Sequence, residues 1–113
     1  MTLHKLLRRM SAVAYTMLEG TGRTDFEVDQ RFLQKAGADI PFLWIVRKHG
    51  TGLYRLDEDS DRSNASFMLG HYVGSHTDFL IFHYDGKLFR QLFLSDALAE
   101  LNRLFKQHRN REE

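Results

Sequence analysis

The segment Asp78–Leu94, DFLIFHYDGKLFRQLFL, decides the fold of this chain. It contains two runs rich in aromatic residues, and Asp85-Gly86 separates them. Both of these residues tolerate the positive φ that a two-residue hairpin loop requires, so the segment predicts a tight antiparallel hairpin with Phe82 opposite Phe89. Side chains alternate between the faces of a strand, and apolar residues therefore fall on both faces of this hairpin. The pattern places the hairpin between two layers of structure or in an interface.

The remaining periodicities complete an α+β fold. Apolar residues at helical three-and-four spacing predict three helices, Leu3–Leu18, Asp25–Ala36 and one that begins at Ser95. Runs of strand-forming residues predict three further strands, Phe42–Val46, Leu53–Leu56 and Ser66–Val73. We therefore expect one antiparallel sheet of about five strands, built from two hairpins and a short strand. Two N-terminal helices and one C-terminal helix pack on it, in a single domain over residues 1–113.

Composition restricts the classes of function. Sixteen basic and fifteen acidic residues give a net charge of +1, so only local clusters provide an electrostatic attraction for a partner. The chain has no cysteine, which excludes disulfides, cysteine-ligated zinc and thiol catalysis. No apolar run approaches the roughly 18 residues that a membrane span requires, and the N-terminus lacks the pattern of a secretory signal. We expect a cytoplasmic protein without a cofactor.

The histidines provide one alternative, a small enzyme. If Ser66–Val73 is a strand that pairs with the strand after it, then His71, His76 and Asp78 lie near the turn between them. Such a polar cluster suits acid–base chemistry. His83 is seven residues from His76 on the predicted strand, roughly 23 Å away, and the two residues cannot share a metal ion. We predict no metal site.

The terminal helices provide the main candidate site. On their predicted solvent sides they carry mostly basic residues: Lys5, Arg8, Arg9 and Tyr15 on the first helix, and Arg103, Lys106 and Arg109 on the last. If the two helices lie side by side on one layer, these residues merge into one positive surface. Such a surface suits an acidic protein or the phosphates of a nucleic acid.

No motif names a reaction, and we interpret the chain as a small non-enzymatic binding protein. It would regulate or inhibit a macromolecular partner, a protein or a nucleoprotein, as accessory proteins of phages and mobile elements do. The alternatives are the enzyme with the His71, His76 and Asp78 cluster and a nucleic-acid-binding protein with basic terminal helices. A single layer of helices cannot cover both faces of the sheet, which predicts a homodimer.

Overall fold

A computed structural model describes the backbone of residues 1–17 and 23–112, and side chains in that part except those of residues 23, 24 and 109–112. Leu18, the predicted end of the first helix, lies outside the described residues. The elements in chain order are α1 (Leu3–Met17), α2 (Arg23–Ala36), β1 (Phe42–Arg47), β2 (Gly50–Arg55), α3 (Asp59–Gly74), β3 (Phe79–Tyr84), β4 (Phe89–Leu92) and α4 (Leu94–Glu112). The α+β class is confirmed. The described residues form four helices and four strands, whereas the sequence predicted three helices and about five strands.

The strands form one antiparallel sheet in the order β2-β1-β3-β4. The central strand β1 pairs with β2 on one side and with β3 on the other. All of its residues from Phe42 to Val46 are buried. An unbroken apolar run without alternation is typical of a strand covered on both faces, and the structure confirms that prediction.

Helices cover both faces of the sheet. On one face, α1 and α2 enclose a core around Trp44 and Phe82. On the other face, α3 and α4 enclose a second core around Ile45 and Ile81. The expectation of a single helical layer was therefore wrong, and the predicted homodimer loses the reason that we gave for it.

The fourth helix, α3, replaces the strand that we predicted over Ser66–Val73. Its buried positions are Arg62, Ala65, Leu69 and Tyr72, which follow a helical three-and-four spacing. The stripe was not recognised because it begins with an arginine and because Phe67 lies on the outer side, 71% exposed. With a helix here, both faces of the sheet can be buried within one chain.

The hairpin between β3 and β4 forms with a longer loop than the sequence predicted. Tyr84 pairs with Phe89 and Phe82 with Gln91, so four residues rather than two connect the strands. The side chain of Asp85 accepts backbone N–H groups of Lys87 and Leu88, each at 2.8 Å, and closes the loop as an Asx turn. The shift is two residues on β4, an even number, and the predicted faces of the hairpin are retained.

Helix α2 is confirmed, but its inward face differs from the prediction. Phe26 and Leu33 are buried together with Asp29, whereas Val28, predicted to face inward, is 57% exposed. The helix ends as predicted at Gly37, whose φ of 89° is readily available to glycine. The amide of Gly37 donates to the carbonyl of Leu33 at 2.8 Å and caps the last turn.

Candidate functional site

The outer side of α1 presents the first group of predicted partner-binding residues. Lys5, Arg8 and Arg9 are exposed and line an open depression of about 500 Å³ together with Met1 and Ala12. Within the described part of the chain, neither Lys5 nor Arg8 has a carboxylate within ion-pair distance. The helix itself contains no acidic residue. We call Lys5, Arg8 and Arg9 the basic face of α1.

Arg9 and Tyr15 complete the description of this helix. The guanidinium of Arg9 lies 5.3 Å from the centre of the Phe89 ring, which makes it a cation–π contact to the edge strand β4. Arg9 was expected to point away from the core, and it instead covers one end of that core. Tyr15, near the other end of the helix, is 69% exposed.

The basic residues of α4 lie elsewhere. Arg103 donates to both carboxylate oxygens of Glu100, from Nε at 3.1 Å and from Nη2 at 2.5 Å, so a carboxylate neutralises it. This pair lowers the pKa of Glu100 and raises that of Arg103. Lys106 is exposed, and the side chain of Arg109 lies outside the described residues.

The two terminal helices do not share a layer. The buried residues of α1 contribute to the core on one face of the sheet, and those of α4 contribute to the core on the other. The condition under which their basic residues would merge into one positive surface is therefore not met. The structure leaves the basic face of α1 as the coherent part of the predicted site.

The predicted polar cluster of His71, His76 and Asp78 consists of exposed residues around the end of α3. His71 belongs to the helix and stacks on Phe67, with ring centres 6.3 Å apart and planes 6° from parallel. His76 follows the helix with a φ of 56°. Among the described residues, no group of three or more His, Asp or Glu residues is arranged to hold a metal ion.

A further polar site involves a residue that we had considered only as a metal ligand, His83. A cleft of about 340 Å³ lies beneath α4, where strands β1 and β3 and the end of β2 meet. Its lining combines apolar with polar and charged side chains: Pro41, Leu56, Asp57, His83, Asp85, Glu100, Arg103, Leu104 and His108. The sequence did contain a signal for this site. His83 lies between Phe82 and Tyr84, on a strand predicted to be covered on both faces.

His83 is 6% exposed, and its Nδ1 atom is buried without a hydrogen-bond partner. Burial lowers the pKa of the imidazole, because the protein interior solvates the charged ring poorly, while Glu100 opposes this effect. The neighbouring carboxyls instead favour their charged form. Hydrogen bonds from Arg55 lower the pKa of Asp57, and backbone N–H groups lower that of Asp85. The cleft therefore combines a neutral imidazole with ionised carboxylates near neutral pH.

The opposite face of the sheet contains a second buried titratable group, Asp29 of α2. Its Oδ2 atom accepts hydrogen bonds from Trp44 Nε1 at 2.9 Å and from Thr51 Oγ1 at 2.6 Å. Burial raises the pKa of Asp29, although both hydrogen bonds act against that rise. Because its donors come from β1 and β2, this carboxylate connects α2 to the sheet and serves the fold.

Comparisons with known proteins add no further residue assignment. No protein-family model, curated protein or solved structure matches this chain. In the part of the chain that the structure describes, none of the helices has the length and apolar character needed to cross a membrane.

Proposed function

We propose that this protein is a small non-enzymatic binding protein that regulates or inhibits a macromolecular partner, and that the basic face of α1 contacts that partner. The supporting observation is the charge pattern of α1, which carries Lys5, Arg8 and Arg9 and no acidic residue. A structural role for the helix explains its buried stripe. It does not explain why Lys5 and Arg8 lie on the solvent side without a counter-charge among the described residues.

The position of these cations strengthens the proposal. Lys5 lies in the first turn of α1, where the helix dipole disfavours positive charge. Arg8 and Arg9 follow at the three- and four-residue spacings at which like charges repel, by about 0.2–0.5 kcal/mol for each pair. The first turns of α2, α3 and α4 each contain an aspartate instead. A polyanionic partner would relieve this repulsion in α1, which has no acidic residue to offset it.

An acidic protein or a nucleoprotein fits this surface, and binding of bare nucleic acid is the alternative. Tyr15 is the only aromatic side chain of α1, which provides little of the alternation of aromatic and basic residues typical of proteins that bind single strands. We therefore favour a protein surface with clustered carboxylates or phosphates. The assignment to phage or mobile-element accessory proteins and the cytoplasmic location remain predictions.

The test is a charge reversal with a matched control. The double variant Lys5→Glu/Arg8→Glu changes exposed residues only, and Arg9 is retained because it packs on Phe89. The control, Arg31→Glu/Lys35→Glu, makes the same charge change on exposed positions of α2. Partners captured from the host with the parent protein are titrated against all three forms at low salt.

We expect the α1 variant to bind its partner at least about tenfold more weakly, or ~1.4 kcal/mol, while the α2 control stays near the parent. Melting curves confirm that both variants are folded. Equal weakening by the two variants would reduce the effect to net charge and exclude α1 as the contact surface. A salt-sensitive gel shift with nucleic acid alone would favour the nucleic-acid alternative.

We propose that two exposed aromatic residues support the predicted homodimer. Phe67 of α3 and Phe93, which precedes α4, are 71% and 79% exposed. Large exposed aromatic residues favour association, and we propose that these two contribute to the contact between copies. Light scattering across a concentration series tests the dimer, and Phe93→Ser should shift it toward monomer. A monomer at all concentrations would contradict it.

A further inference from the structure

The cleft beneath α4 is distinct from the basic face of α1, because the two helices lie on opposite faces of the sheet. Its unusual feature is His83. The residue is 6% exposed and makes no hydrogen bond among the described residues, and its Nδ1 atom is buried without a partner. Buried polar atoms in native proteins nearly always have a partner, so an unpaired imidazole that lines a cleft points to a ligand.

The unpaired nitrogen also fixes the state of the ring. Protonating both nitrogens would leave a charged N–H group at Nδ1 with no acceptor beside it, which is costly in a protein interior. His83 is therefore neutral in the folded protein near neutral pH. Nε2 is not among the buried unpaired atoms, so it is the ring nitrogen that a ligand in the cleft can reach.

The remaining hydrogen-bonding capacity of the cleft is mostly for accepting. Three of the five N–H donors of Arg103 are already engaged, with Nε and Nη2 on Glu100 and with Nη1 on Gln107 at 3.4 Å. A carboxylate has about four acceptor positions, two on each oxygen. Asp85 uses only Oδ1, for two backbone N–H groups, and its other oxygen has no hydrogen-bond partner among the described residues. Such a lining suits a ligand rich in N–H donors.

Charge leads to the same class of ligand. Three carboxylates and one guanidinium line the cleft, Asp57, Asp85 and Glu100 against Arg103. Arg55 pairs with Asp57 and Arg103 with Glu100, so Asp85 is the lining carboxylate without an ion-pair partner among the described residues. Pro41, Leu56 and Leu104 add apolar surface, and the volume of about 340 Å³ suits a small metabolite.

We propose that this cleft binds a small organic cation, a guanidinium or ammonium compound with a short apolar stem. The cationic group is bound between Asp85 and Glu100, and the ligand contacts the His83 ring at Nε2. The stem packs against Leu56 and Leu104. The class is defined by its donors and charge, which guanidinium and ammonium compounds share.

The experiment is calorimetric titration of the full chain with agmatine, which carries a guanidinium and an ammonium group on a four-carbon stem. The neutral 1,4-butanediol and the anionic glutarate are probes of comparable length. We expect agmatine to bind at least about tenfold more tightly than either. Nuclear magnetic resonance of the His83 ring should report the binding, and titration with 1,4-diaminobutane shows whether ammonium groups alone suffice.

Two conservative variants locate the site. Asp85→Asn keeps the oxygen that closes the turn and removes the charge, and Glu100→Gln removes the other charge. Each should weaken agmatine binding at least about fivefold, as expected for the loss of a charge-assisted hydrogen bond. The matched control is Glu27→Gln, an exposed carboxylate on α2.

Three results would overturn the proposal: no agmatine binding at about 10 mM, tighter binding of glutarate, or unchanged agmatine binding in both cleft variants with parental melting curves. Because these measurements do not involve α1, they test the cleft independently of the proposal for the basic face of α1.

Discussion

The two faces of the sheet differ in how a buried titratable side chain is hydrogen-bonded. Under α2, Asp29 accepts two hydrogen bonds through one oxygen, from Trp44 and Thr51. Under α4, His83 is equally buried, at 6% exposure against 7% for Asp29, and makes no hydrogen bond among the described residues. Burial alone therefore does not tell a structural polar group from a functional one. The difference lies in whether partners are present.

The comparison separates two costs. Hydrogen bonds from its donors compensate a buried carboxylate for lost solvation, and those donors would be unsatisfied without the carboxylate. A buried imidazole without partners loses solvation and gains nothing from the protein. Arg62, which among the described residues is the other buried residue with an unpaired atom, is an intermediate case. Its Nη1 donates to the carbonyl of Leu56 at 2.7 Å, and its Nη2 pairs with Asp59. His83 alone of the three depends on a ligand for a partner.

The largest effect that we predict comes from removing the paired group. Asp29→Ala leaves the N–H of Trp44 and the hydroxyl of Thr51 without their acceptor, and it opens a small cavity between α2 and the sheet. We expect a loss of about 3 kcal/mol in the free energy of unfolding, because each orphaned buried donor costs roughly 1–3 kcal/mol. Denaturant titration measures it.

Two further variants sharpen this prediction. Asp29→Asn keeps an acceptor oxygen near both donors and should cost clearly less than the alanine variant. Glu27→Ala, an exposed position on the same helix, should change stability by no more than about 0.5 kcal/mol. A loss below about 1 kcal/mol for Asp29→Ala would mean that Trp44 and Thr51 find other partners, and the contrast between the faces would weaken.

The same kind of change on the other face should have the opposite sign. His83→Leu replaces an unpaired imidazole with an apolar side chain of similar volume, next to Leu43 on the paired strand β1. We expect a gain of about 1 kcal/mol in the free energy of unfolding, since an unsatisfied buried group is removed and no hydrogen bond is lost.

His71→Leu, at an exposed position of α3, is the control for the general effect of the substitution. It should leave stability nearly unchanged. A marked loss of stability in His83→Leu would show that the imidazole has a structural role after all, and it would remove the contrast on which the ligand site rests. The gain should coincide with the loss of agmatine binding.

The dependence of stability on pH is a smaller effect that isolates the protonation of His83. Its folded pKa is lowered by burial, so above pH of about 6.5 the imidazole is neutral in both states and its contribution is constant. As the pH falls below this value, the unfolded chain binds the proton first and stability decreases until the folded pKa is passed. The parent should therefore lose more stability than His83→Leu between about pH 7 and pH 5.

Subtracting the two profiles removes the contribution of the charged groups around His83, namely Glu100, Arg90, Asp85 and Arg103, together with Asp57 and His108 of the cleft. Parallel profiles would contradict a lowered pKa for this histidine. Melting temperature as a function of pH is a sufficient measurement for this comparison.

The parts of the fold that the sequence predicted follow from uninterrupted patterns. The apolar run of β1 is buried as expected, and the apolar residues of β3 and β4 divide between the two cores as predicted. Two of the failures, in α2 and α3, occur where a charged residue occupies a core position. Asp29 lies between Phe26 and Leu33 on the inward stripe of α2, and Arg62 begins the stripe of α3. In both cases hydrogen bonds allow burial, and hydrophobicity alone does not show them.

The two candidate sites differ in whether their residues are close together in the sequence. The basic face of α1 is local, so residue spacing on one helix was enough to find it. The cleft joins Asp57, His83 and Glu100, which come from three separate parts of the chain. Only the order of the strands and the assignment of α4 to the second face bring them together. Without α3 as a helix, that second face could not be anticipated.

The smallest effect that we predict distinguishes two neighbouring arginines on the first face. Arg9 lies over the ring of Phe89 at 5.3 Å, whereas Arg8 has no contact of this kind among the described residues. Arg9→Ala should lower the free energy of unfolding by about 0.5–1 kcal/mol, the range for an exposed cation–π contact, and Arg8→Ala should leave it unchanged. Partner binding should depend on Arg8 in the opposite way, because its guanidinium is free to contact an anion. If the two alanine variants have equal stability in denaturant titrations, the contact of Arg9 with Phe89 adds no measurable stability, and all three cations of the basic face of α1 are available to the partner.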